Sequence, residues 1–80
     1  MAQRKLTAKT LNNVLLAVPR LVGLPAHRFW SDYDSEADVL YLSFERPQKA
    51  TDSVLRDDGI LLRYRGKKLI GLTVFEASKR

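Results

Sequence analysis

SDYDSEADVLYLSF, residues 31–44, places acids at alternate positions (Asp32, Asp34, Glu36, Asp38) just ahead of an apolar, aromatic run. Three readings compete: a calcium loop, a pair of catalytic carboxylates, or a polar reversal between two strands. The calcium reading fails on spacing. An EF-hand loop needs glycine at its sixth position and a bidentate glutamate at its twelfth. Counted from Asp32, those places hold Ala37 and Ser43. Acid–base work shared by Asp32 and Asp38, set opposite each other in a hairpin, needs a cleft that separates their pKa values. Asp and Ser are equally the residues of a chain reversal. The stretch reads as a strand, a polar turn and a second strand.

The period of two continues on both sides of it. RFWSDY (28–33) is a first strand and DVLYLSFE (38–45) a second, rich in β-branched and aromatic residues. RPQKAT is a connection, because Pro47 discourages an inner strand. DSVLR is a short third strand at an edge, DDG a turn, ILLRYR a fourth strand, GKK a turn and LIGLTVFEA a fifth. Short connections favour antiparallel neighbours, so an antiparallel meander of four or five strands is expected.

The period before residue 28 is that of a helix. Ala8, Leu11, Val14, Leu15, Val18 and Leu21 or Val22 recur at three- and four-residue spacing and form one apolar stripe. Thr7 suits the N-cap, and Leu6 with Leu11 suits a hydrophobic staple. Pro19 removes a backbone donor, so a kink or an end is expected there, with a short restart through Val22 before Gly23 and Pro25 stop it. The expected architecture is α+β: a helical segment over 1–27 packed on the sheet of 28–80, in one domain spanning 1–80.

Alternation divides the sheet into two faces. One holds Leu40, Leu42 and Phe44, then Ile60, Leu62 and Tyr64, then Ile70, Leu72 and Val74, and should receive the helix. The other holds Val39, Tyr41 and Ser43, then Leu61, Arg63 and Arg65, then Leu69, Gly71, Thr73 and Phe75. It is too apolar to be left in water and too polar for a second core. Such a face suits a partner or a second copy. Tyr41, Arg63, Arg65, Thr73 and Phe75 are its candidate contact residues.

Composition narrows the function classes. Eighty residues form a thin core, and the absence of cysteine removes disulfides as reinforcement, so oligomerisation is a natural source of further burial. A cysteine-free chain suits a reducing cytoplasm. No apolar run reaches the roughly 20 residues of a membrane span, and a packed helix suits the N-terminal stretch better than a signal or transit peptide. No metal or cofactor site is expected. Charge is segregated: +5 over residues 1–30, −5 over 31–58 and +5 over 59–80, for a net +5. That pattern fits self-complementary association, nucleic-acid binding, or ordinary compensation within the fold.

Chemistry is thinly supplied. His27 is the one histidine, and with Arg28 and Asp32 it could be drawn as a metal-independent nuclease. No motif fixes their geometry, and no catalytic residue is expected. RNA-reading sheets pair exposed aromatics with Arg or Lys. Tyr41, Phe75, Arg63 and Arg65, with Lys67 and Lys68 at the rim, offer that combination without an RNP signature. Lys79 and Arg80 read as a frayed basic tail.

YD-x-EAD-x-LY from Tyr33, then DDG from Asp57, then GLTVFEASKR from Gly71 occur in order without a large gap. Over about residues 30–80 this chain resembles DUF2283, a family of small bacterial and archaeal proteins of unknown function. The N-terminal helix with AVPRLVGLP resembles an extension carried by one subgroup. The resemblance implies a compact antiparallel sheet with a helix and no established catalytic residues. It also implies an antitoxin-like role beside a small toxin-like protein. A binding module is therefore the expected function: a homodimer or the partner of a small protein, with nucleic-acid binding second and a small nuclease third.

Overall fold

The computed structural model describes residues 7–80. Helix α1 (Ala8–Val22) is followed by strands β1 (Trp30–Asp34), β2 (Val39–Ser43), β3 (Asp52–Leu55), β4 (Ile60–Arg65) and β5 (Lys68–Phe75), then a 3-10 turn at Ala77–Lys79. The class is α+β, with a five-stranded antiparallel sheet as the alternation implies.

The strand order, however, is β1-β2-β5-β4-β3, not that of a continuous meander. Two antiparallel pieces, β1-β2 and β3-β4-β5, join where β5 pairs with β2. Residues 44–51 carry the chain from β2 to the far edge. Gly71 marks the crossing: a Cβ there would run into the Gln48 side chain and stand 3.0 Å from the Leu42 carbonyl oxygen. A glycine inside a strand is the usual sign of such a close approach.

The acidic stretch is a hairpin. Asp34 pairs with Val39, and the Asp34 carboxylate accepts the N–H groups of Glu36 (3.0 Å) and Ala37 (3.2 Å), closing the reversal. Asp38 sits at φ 56°, a left-handed conformation that Asp tolerates better than most residues. Its carboxylate accepts the Tyr33 hydroxyl (2.6 Å) and both the N–H (2.9 Å) and Oγ–H (2.7 Å) of Ser78. Asp32 lies opposite Tyr41 rather than Asp38, so the two acids proposed as a catalytic pair are not cross-strand partners.

The C-terminus is pinned rather than frayed. The Arg80 guanidinium donates to the Phe75 carbonyl (2.8 and 3.1 Å) and to the Gly59 carbonyl (3.3 Å), tying the end of β5 to the β3–β4 turn. Gly59 has φ 79° there, the conformation expected of the DDG turn.

The helix forms as its stripe implies but does not sit as expected. Thr7 is the N-cap, its side chain accepting the Thr10 N–H at 3.1 Å. The proposed staple partner Leu6 lies outside the described residues. Pro19 neither ends nor restarts the helix, which runs on to Val22. A proline one turn from a helix end removes one backbone bond, which the last turn tolerates. No residue of α1 is buried, and Leu15 is 56% exposed. The expectation that α1 packs on its own sheet is corrected accordingly. The connector reaches the sheet, where Pro25 and Ala26 line a hollow with Phe44, Lys68 and Leu69.

The core is correspondingly small. Among the described residues Val39, Phe44 and Ile70 are the buried apolar side chains, with Ile70 fully enclosed. The radius of gyration is 14.4 Å. About 12 Å is typical of a compact chain of this length.

Candidate functional site

Register places Tyr41, Arg63, Thr73 and Phe75 on one face but does not gather the five candidate contact residues into one site. Tyr41 stands opposite Thr73, which stands opposite Leu61; Arg63 faces Gly71, and Phe75 faces Val39 at the far end. Tyr41 is 46% exposed, whereas Thr73 is only 7% exposed and offers little to a partner. Arg63 is half-buried and its Nε has no hydrogen-bond partner. A register shift between Arg63 and Tyr64 moves Arg65 off the row.

Arg65 is also already engaged. It makes a two-pronged pair with Glu45 (3.1 and 2.6 Å), and Lys68 reaches the same carboxylate at 2.8 Å. These charge-assisted bonds, Arg65 first and Lys68 second, lower the Glu45 carboxyl from 4.5 to about 2. Bonds from Tyr33 and then Ser78 likewise lower Asp38, and the bond to Asp38 raises Tyr33.

An open cleft of about 380 Å³ lies on this mixed face. Tyr41, Arg63 and Thr73 line it, together with residues that alternation alone did not single out: Trp30, Glu45, Arg46 and Gln48. Arg46 stacks its guanidinium 5.7 Å from the Trp30 ring centre. The signal for these was present in two places. Trp30 follows from extending the β1 alternation back two residues from Asp32, and the loop residues follow from Gly71. His27 lines a different hollow, with Leu21, Val22, Ala26 and Phe29, while Asp32 lines the cleft. Among the described residues no three acids or histidines stand close enough to share a metal ion, and no helix is long and apolar enough to cross a membrane.

The opposite face is the more apolar surface. Cross-strand pairing aligns Leu40 with Val74 and Ile60, and Leu42 with Leu72 and Leu62, in two apolar rows. All six remain partly exposed. Tyr33 and Val54 extend the rows to the two edge strands and are exposed. Only at one end, beneath the connector, are Phe44 and Ile70 closed off.

A family model described as "Protein of unknown function (DUF2283)" matches residues 30–78, which spans the whole sheet. No curated protein matches the chain, and no solved structure does.

Proposed function

Because the chain belongs to the DUF2283 family, whose description names no activity, we propose its function from its surfaces: a non-catalytic protein-binding module that self-associates as a homodimer through its apolar sheet face. One observation carries this reading. Among the described residues an apolar sheet face stays partly open and an apolar helix stripe stays exposed.

The areas agree. The chain exposes 6820 Å² at a mass of 9.1 kDa. Folded monomers of that mass expose about 4,900 Å², an excess of roughly 1,900 Å². A standard interface needs about 800 Å² per partner. The cysteine-free composition suits work in a reducing cytoplasm.

Sedimentation equilibrium on the purified chain tests the reading. The expected result is a species of twice 9.1 kDa at micromolar concentration, lost when Leu72 is replaced by Arg. A monomer for both proteins would remove it. If the unmodified chain is monomeric and a small toxin-like protein shifts it to a heterodimer, the antitoxin form of the binding reading replaces the homodimer.

Nucleic-acid binding is the second reading. It draws on exposed Tyr41 beside Arg63, whose Nε has no partner. It is weakened by Arg65, which Glu45 neutralises, and by Thr73, which is buried. Retention on single-stranded RNA that falls steeply with salt would support it, because phosphate contacts release counterions.

A further inference from the structure

We propose that the homodimer forms by reciprocal helix exchange: α1 of each copy lies along the apolar sheet face of the other. This rests on the self-association reading and adds which surface meets which.

The two surfaces match in chemistry and size. The helix offers Leu11, Val14, Leu15, Val18 and Leu21, all at least 40% exposed. The sheet offers Leu40, Leu42, Leu62, Leu72 and Val74, all partly exposed. Fifteen helical residues span about 22 Å. The eight residues of β5 span about 26 Å, so the helix fits along the sheet. A single sheet left bare on its apolar side calls for a second layer, and an amphipathic helix is the element that forms one.

The connector explains why that layer comes from another copy. Pro25 disfavours a helical Leu24, and Pro25 and Ala26 line a hollow with Phe44 and Leu69. The seven-residue connector, 23–29, thus passes one corner of the sheet, with α1 carried away from its own sheet and its stripe open. A hinge that holds an element away from its docking surface allows identical elements to exchange between protomers. Charge favours the same pairing. Within its described span α1 carries Lys9 and Arg20 and no acid, while the far end of the sheet carries Asp34, Glu36, Asp38, Asp57, Asp58 and Glu76 against Arg56, Lys79 and Arg80, a net negative rim.

The chain has no cysteine, so disulfide trapping in the full chain reads the contact directly. Two single variants, Leu15→Cys and Leu72→Cys, are mixed, equilibrated and oxidised. The expected product is a mixed disulfide joining one chain of each kind, at least tenfold more abundant than disulfides formed by either variant alone. A sedimentation dimer whose Leu72→Cys chains cross-link to each other as readily as in the mixture would overturn the exchange and leave a sheet-on-sheet dimer. So would a dimer that gives no mixed disulfide. A double variant that closes within one chain at 9.1 kDa would show α1 folding back on its own sheet, also overturning it. If the unmodified chain is monomeric throughout, self-association fails and the exchange fails with it.

Discussion

On the mixed face Val39 is 5% and Thr73 is 7% exposed, whereas their immediate chain neighbours Leu40 and Val74, which point to the other side, remain partly open. The difference is not one of composition, since the open side is the more apolar. It is one of cover. The crossover of residues 44–51 sets Gln48 against Gly71 on the mixed face. The C-terminal segment returns to Asp38, beside Val39, through the Ala77 and Ser78 amides. The chain therefore spends its loops on the side that looks like a surface and leaves the side that looks like a core only partly covered. A face can be polar because the chain crosses it, and apolar because another layer belongs there.

Substitutions can break this contrast, and the largest effect belongs to the closed end. Ile70→Ala empties the one fully enclosed large side chain among the described residues and should cost about 2–5 kcal/mol in urea unfolding at any protein concentration. Leu72→Arg should act differently. It should weaken self-association at least a hundredfold by sedimentation, about 3 kcal/mol, because a desolvated charge opposes the interface at its centre. Equal behaviour of the two variants across a dilution series would erase the distinction between closed and open regions.

Gly71→Ala sharpens the account of the mixed face. The added methyl meets Gln48, whose side chain can move, and the Leu42 carbonyl, which cannot, so a loss of about 1–3 kcal/mol in thermal unfolding is expected. Dimerisation should be unchanged, because the crossover lies on the other side.

The smallest effect concerns Glu45. Its folded-state pKa of about 2 lies below the ordinary 4.5, so the stability it contributes is complete above about pH 4.5 and is lost as the pH falls toward 2. Glu45→Gln should flatten the acid limb of a melting-temperature profile in that window. The effect should be slight, because Arg65 and Lys68 stand in solvent.

Much of this was legible in the chain. Period-two runs located all five strands to within two residues, and the spacing of Asp34 before Glu36 and Ala37 announced a turn. Alternation separated Leu40, Leu42, Leu62 and Leu72 from Tyr41, Arg63 and Thr73 correctly. Pairing order was less accessible. Alternation says which way a side chain points and nothing about which strand lies beside it, so β5 between β2 and β4 had Gly71 as its only herald. The basic end was misread for a related reason. Arg80 has no local pattern, and its carbonyl partners at Phe75 and Gly59 come together only in the folded sheet. The helix stripe likewise declares an apolar partner without declaring whose, and Arg65 looked free because Glu45 lies 20 residues away in sequence.

The central claim, that a second copy supplies the layer this chain lacks, is tested most directly by the thermal midpoint as a function of protein concentration. Folding coupled to association makes that midpoint concentration-dependent. The account predicts a midpoint that rises steadily from low micromolar to hundreds of micromolar in the unmodified chain, and a flat one in Leu72→Arg. A midpoint that is high and flat over the same range in the unmodified chain would contradict it.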